Sequence, residues 1–149
     1  VVGSCQVDPN YVNDVQSFVV ANDLERSVQF LGKVSDTDLS QILLNGDILA
    51  VPSAYEGFGI VYVEALGAGL PVIAGNQGGS QEIIKSGVNG FLVAQDAMAI
   101  AEAIQTLLKD KTCLTKFSFN AYQAYKNFPT WDETTAKIRN FLIAFDQQK

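Results

Sequence analysis

The chain has 149 residues, 48% of them hydrophobic, which suits one domain with its own buried core. A formal net charge of −6 argues against nucleic acid or an anionic membrane surface as the main partner. Histidine is absent and the two cysteines, Cys5 and Cys113, are isolated, so this chain alone supplies neither a zinc site nor a histidine-based triad.

In chain order, VVGS (residues 1–4) reads as the end of a buried strand, and the start at Val1 without methionine reads as a fragment of a longer protein. A helix is expected from about Pro9 to Ala21, with Pro9 in its first turn and Val12, Val15, Phe18 and Val19 on one face. VQFLG (residues 28–32) is the next strand, and residues 35–45 form a helix capped by Ser35, with Asp38 three positions on. DILAV (residues 47–51) and PVIA (residues 71–74) are short apolar runs of the buried-strand type, with a helix over residues 60–68 between them. Gly78, Gly79 and Ser80 open a short helix that ends near Ser86, with Glu82 as a first-turn carboxylate, and FLV (residues 91–93) is the last strand. Three helices follow, over residues 96–109, 113–127 and 130–145, the last started by Thr130 with Glu133 as its capping-box partner. Apolar strands alternating with helices, with no hairpin signal between them, predict a parallel sheet covered on both faces: a Rossmann-like, doubly wound α/β fold. No apolar run approaches membrane-spanning length.

The stretch from Pro52 to Glu82 carries the chemistry. Glycines 57 and 59 stand between a strand and a helix, a turn that aims backbone N–H groups and a positive helix end out of the carboxyl edge of the sheet. Phosphate is the natural ligand there. Glu56 and Glu64, separated by seven residues, flank that turn and would repel phosphate, so they fit as acceptors for sugar hydroxyls. Read alone, Glu56 could equally be an N-terminal helix carboxylate, with Ser53 three residues before it, and GFG a tight turn. Glu64, among Ile60, Val61, Val63, Ala65 and Leu66, is either on an exposed edge or holding something. Gly67-x-Gly69 is not a dinucleotide fingerprint, because it ends a helix and precedes a strand, and no P-loop pattern is present.

The run Pro52-Ser53, Glu56-Gly57-Phe58-Gly59, Glu64, then Pro71-Val72-Ile73-Ala74 and Gly78-Gly79 resembles the signature of the retaining family 4 glycosyltransferases of GT-B architecture, glycogen-synthase relatives included. The similarity extends from Val1 to about Trp131. It implies the carboxyl-terminal half of a GT-B enzyme, with residues 1–127 a Rossmann-like nucleotide-sugar-binding domain and 128–149 a crossover helix. The activity implied is transfer of a hexose from a nucleoside diphosphate sugar to an acceptor hydroxyl with retention, by a cytoplasmic enzyme that needs no metal and no cofactor beyond the donor.

The resemblance also implies roles. Glu56 would meet the 3- and 4-hydroxyls of the donor sugar and share in stabilising charge at the anomeric carbon, as the catalytic residue. Glu64 would grip the ribose 2′- and 3′-hydroxyls. Gly57, Phe58 and Gly59, with the N–H groups near Gly59, Ile60 and Val61, would face the diphosphate and sugar, with Ser53 beside them. The turn at Lys33 and Val34 would meet the nucleobase, although a plain strand-to-helix turn is the simpler account of those two residues. Relatives begin this domain with a further strand and helix, and the loop after that strand carries an arginine and a lysine that clamp the diphosphate. Neither precedes Val1 here, so the expectation is a piece cut from a longer protein and inactive alone, whose amino-terminal domain would carry the acceptor site (for a glycan, lipid or small molecule), with peripheral membrane association expected of the full-length enzyme. Two rival accounts are a non-catalytic sugar-nucleotide-binding module, or half of a split enzyme, and a hydrolase or epimerase on the same halves. The last helix has two accounts too: plain core packing, or docking on the amino-terminal domain with part of the Ile138, Phe141 and Phe145 face left exposed.

Overall fold

The computed structural model describes residues 1–146, so the last three positions of the expected 128–149 segment lie outside it. In chain order the elements are α1 (Pro9–Ala21), α2 (Asp36–Leu44), β1 (Leu49–Val51), α3 (Ile60–Gly67), β2 (Val72–Gly75), α4 (Ser80–Ile83), β3 (Gly90–Val93), α5 (Ala97–Leu108), α6 (Lys111–Lys126) and α7 (Trp131–Asp146). Side chains set most of the helix starts. Asp8, Ser35, Asp96 and Asp110 each accept a bond from a first-turn N–H of α1, α2, α5 and α6. At α7 the expected capping box forms in full: the Glu133 carboxylate accepts from the Thr130 N–H at 2.8 Å, and the Thr130 hydroxyl accepts from the Glu133 N–H at 3.3 Å.

The chain divides into two units, Val1–Asn45 and the remainder from Gly46 onward. In the first, the strands expected at residues 1–4 and 28–32 shrink to one parallel bridge between Val2 and Gly32. Leu31 N–H donates to Val1 O and Gly3 N–H to Gly32 O, both at 2.9 Å. The pairing stops there because Gly32, at φ 65°, leaves the extended region.

The second unit holds the sheet: three parallel strands in the order β1-β2-β3, with Leu49 opposite Val72 and Ile73 opposite Phe91. Strand β2 starts one residue later than expected. Pro71 has no N–H for the ladder and contributes only its carbonyl, which accepts from Leu49 N–H at 3.1 Å. All four β2 residues are buried. Since successive side chains point to opposite sides, both faces of the sheet are covered there. On one face Ile73 and Val93 pack with Ala103 and Leu107 of α5 and Phe117 of α6, and Phe91 stacks on Phe117 at 5.2 Å. Helix α6 reaches α3 as well: the Ser118 hydroxyl donates to Gly69 O at 2.6 Å, and the Tyr125 ring lies against Gly67. The end of α3 is thereby fixed to the core.

Candidate functional site

The turn from β1 into α3 is built by close backbone approach. It runs beside the segment that leaves β2, and Gly75, Gly78 and Gly79 line that contact. A methyl group on Gly78 would come within 2.1 Å of Glu56 O, and one on Gly75 within 2.0 Å of Ser53 O. Gly78 also sits at φ 78°, and the next residue, Gly79, donates its N–H to Glu56 O at 2.8 Å. The Gly78–Gly79 segment therefore holds the backbone of Glu56, and its half-buried side chain leaves from a fixed point. Gly78 and Gly79 thus turn the chain and hold the loop. Glu82 takes its expected place in the first turn of α4. On the other flank, Phe58 packs edge-to-face on Phe128 with ring centroids 6.3 Å apart and remains half exposed.

Helix α3 differs from the five other helices of eight or more residues among those described: no side chain caps it. Its N-cap, Gly59, is in the left-handed conformation at φ 90°, ψ 50°. Tyr62 and Val63 donate their N–H groups back to Gly59 O, at 2.9 and 3.4 Å. The N–H groups of Ile60 and Val61 have no acceptor among the described residues. Two bare donors and the positive end of the helix dipole therefore meet at one point, which suits an anion.

In the chain, two carboxylates stand on either side of that point. Glu56 precedes the helix; Glu64 sits four residues after Ile60, about 6 Å further along the axis. Tyr62, Ala65 and Leu66 face the interior, whereas Ile60 and Glu64 are exposed one turn apart. Of the two sequence-based accounts of Glu64, the exposed edge is what the chain adopts on its own. Neither carboxylate has a hydrogen-bond or ion-pair partner among the described residues, so all their acceptor capacity is open. Ser53, Glu56, Gly57, Phe58, Gly59, Ile60, Val61 and Glu64 thus share one continuous turn and helix. Lys33, exposed, and Val34, half-buried, belong to the first unit, just after Gly32.

Tyr62 escaped the sequence reading. Its side chain is fully buried, its hydroxyl donates to Val51 O at 2.9 Å, and its ring lies against Gly59. Burial raises its phenol above the ordinary value of 10.0; the Ser53 hydroxyl partly offsets this, and the Glu56 carboxylate adds to it. The signal available in the sequence was the three-residue spacing from Gly59, which puts an aromatic ring over the cap. A separate groove of about 420 Å³ lies along Asn13, Gln16, Ser17, Val20 and Ala21 of α1 and contains none of the predicted site residues.

The family model "Glycosyl transferases group 1" matches residues 1–124. The chain is 41% identical over 116 residues to the D-inositol 3-phosphate glycosyltransferase of Corynebacterium urealyticum, covering 77% of this chain and 27% of that protein. Similarity to the glycogen synthase of Mycobacterium tuberculosis is 31% over 121 residues, covering 80% of this chain and 29% of the relative. Among solved structures, Anabaena HepE in complex with UDP and glucose superposes with a TM-score of 0.84 at 31% identity, over 96% of this chain and 39% of the other. The chain therefore spans less than a third of the length of these two curated relatives. The fold is that of the carboxyl-terminal half of a GT-B enzyme, and the chain belongs to the group 1 glycosyltransferases.

Proposed function

We propose that this chain is the donor-binding half of a retaining hexosyltransferase of family 4 and that its ligand is a nucleoside diphosphate sugar. The observation that carries this is the bare N-terminus of α3, with two free N–H groups that fall in the chain between two carboxylates, none of them partnered among the described residues. The diphosphate sits on the N–H groups of Gly59, Ile60 and Val61. Gly57 and Gly59 let it approach the backbone, and Ser53 and Phe58 border the sugar. Glu64 accepts from the two vicinal ribose hydroxyls and Glu56 from the 3- and 4-hydroxyls of the hexose. When the sugar–phosphate bond breaks, negative charge grows on the leaving diphosphate, where the helix end stabilises it, while Glu56 stabilises positive charge at the anomeric carbon. This division of labour asks for no metal and no further cofactor.

Lys33 and Val34 are assigned to the nucleobase by resemblance. The acceptor, whether glycan, lipid or small molecule, belongs to a part of the enzyme beyond this chain, and the setting is cytoplasmic. No helix among the described residues is long and apolar enough to cross a membrane. Support for the ligand class comes from HepE, a similar structure in complex with UDP and glucose. Ligand-observed NMR with UDP, GDP and ADP tests the proposal. Saturation transfer to one of the three, competed by its nucleoside diphosphate sugar, is the expected result; no transfer to any of them, in this chain or in an amino-terminally extended one, would remove the proposal.

A further inference from the structure

We propose that Tyr62 is the positioning residue of this site: its buried ring keeps the α3 cap free of a side chain and so reserves the N–H of Val61, beside that of Ile60, for a diphosphate. The proposal rests on the donor-binding function given above and adds a residue to it. Tyr62 lies in the first turn of α3, next to exposed Ile60 and half-buried Val61, yet none of its side chain is exposed. The ring fills the space that a side chain on residue 59 would need. A Cβ there would stand 2.3 Å from Cδ2 and 2.7 Å from Cε2 of Tyr62.

An N-cap serine, threonine or aspartate accepts from the second or third N–H of its helix, as at five other helices of this chain. At α3 such a cap would consume the N–H of Val61 or Tyr62. The ring excludes it on steric grounds, and the left-handed conformation of Gly59 excludes it a second time. At its far end the Tyr62 hydroxyl donates to Val51 O, the last residue of β1, so one side chain braces the whole loop of residues 52–59 from strand end to helix cap. A leucine of the same hydrophobic character would fill part of the core but neither reach Val51 nor cover Gly59.

The test is calorimetric titration of the full chain with UDP and with UMP, in wild type, Tyr62→Leu and Tyr62→Phe. The two ligands differ by the outer phosphate, so the ratio of their affinities reads the helix terminus alone. Tyr62→Leu is expected to lower the UDP-to-UMP ratio about tenfold, the loss of roughly one charge-assisted hydrogen bond, with UMP affinity unchanged. Tyr62→Phe keeps the ring and should keep the ratio. A folded Tyr62→Leu with the wild-type ratio, or with equal losses for both ligands, overturns the proposal and marks Tyr62 as core packing only. Should Tyr62→Leu fail to fold, Gly59→Ala brings a methyl group against the ring and must show the same selective loss; an unchanged ratio there overturns it equally. A wild type that binds neither UDP nor UMP removes the donor site itself, an outcome distinct from failure of the positioning role; one that binds the two alike overturns the positioning role.

Discussion

Glu64 stands on the exposed side of α3, beyond the two free N–H groups, and has no hydrogen-bond or ion-pair partner among the described residues. Glu64→Ala should therefore leave thermal stability within about 0.5 kcal/mol of wild type, as exposed substitutions do. It should also weaken nucleoside diphosphate binding by about 1.5–3 kcal/mol, the worth of hydrogen bonds to a charged group. A melt and a titration on one sample separate the two effects. Tyr62 makes the opposite prediction, a stability effect that depends on pH. Its folded pKa lies above the unfolded value of 10.0, so its contribution is complete below that pH and is lost as pH rises through the folded pKa. Tyr62→Phe should cost about 1 kcal/mol near neutrality through the hydrogen bond to Val51 O. The gap between wild type and Tyr62→Phe should narrow above pH 10.0, as urea midpoints across the alkaline range would show. The two glutamates stand out in the sequence through the motif around them, since Glu56 read alone is equally an N-terminal helix carboxylate. Tyr62 does not, because an aromatic in an apolar helix looks the same whether it fills a core or shapes a cap.

At the scale of elements, the glycine-lined contact between the two loops fixes where Glu56 leaves the backbone. Gly78→Ala adds a methyl group that would lie 2.1 Å from Glu56 O, at a residue with φ 78°. Backbone strain alone costs about 1–3 kcal/mol, and Glu56 must shift as well. Both a lower melting temperature and weaker discrimination between donor sugars are expected; a variant with wild-type values for both would show that the contact is dispensable. Most helix positions could be predicted because their starts carry their own chemistry: Pro9, Ser35, Asp96, and Thr130 with Glu133. The paired segments near Val2 and Gly32 were read as full strands because apolar runs report burial, whereas ladder length depends on partners that a run does not name.

On the scale of the whole molecule, α7 buries none of its residues against the rest of the chain, and Trp131, Ile138, Phe141 and Leu142 are all more than half exposed. That outcome departs from plain core packing, the first of the two sequence-based accounts of the last helix. Concentration-dependent association of the isolated chain follows, and Phe141→Glu should reduce it; sedimentation velocity over a hundredfold range of concentration would show either result. Donor binding depends on a smaller region, the open end of α3 flanked in the chain by Glu56 and Glu64. Backbone amide NMR of the chain during a UDP titration tests it most directly. The largest shifts are predicted at the N–H groups of Gly59, Ile60 and Val61, and they should shrink in Glu64→Ala at equal ligand concentration. Saturable UDP binding that leaves those three amides unmoved would contradict the account.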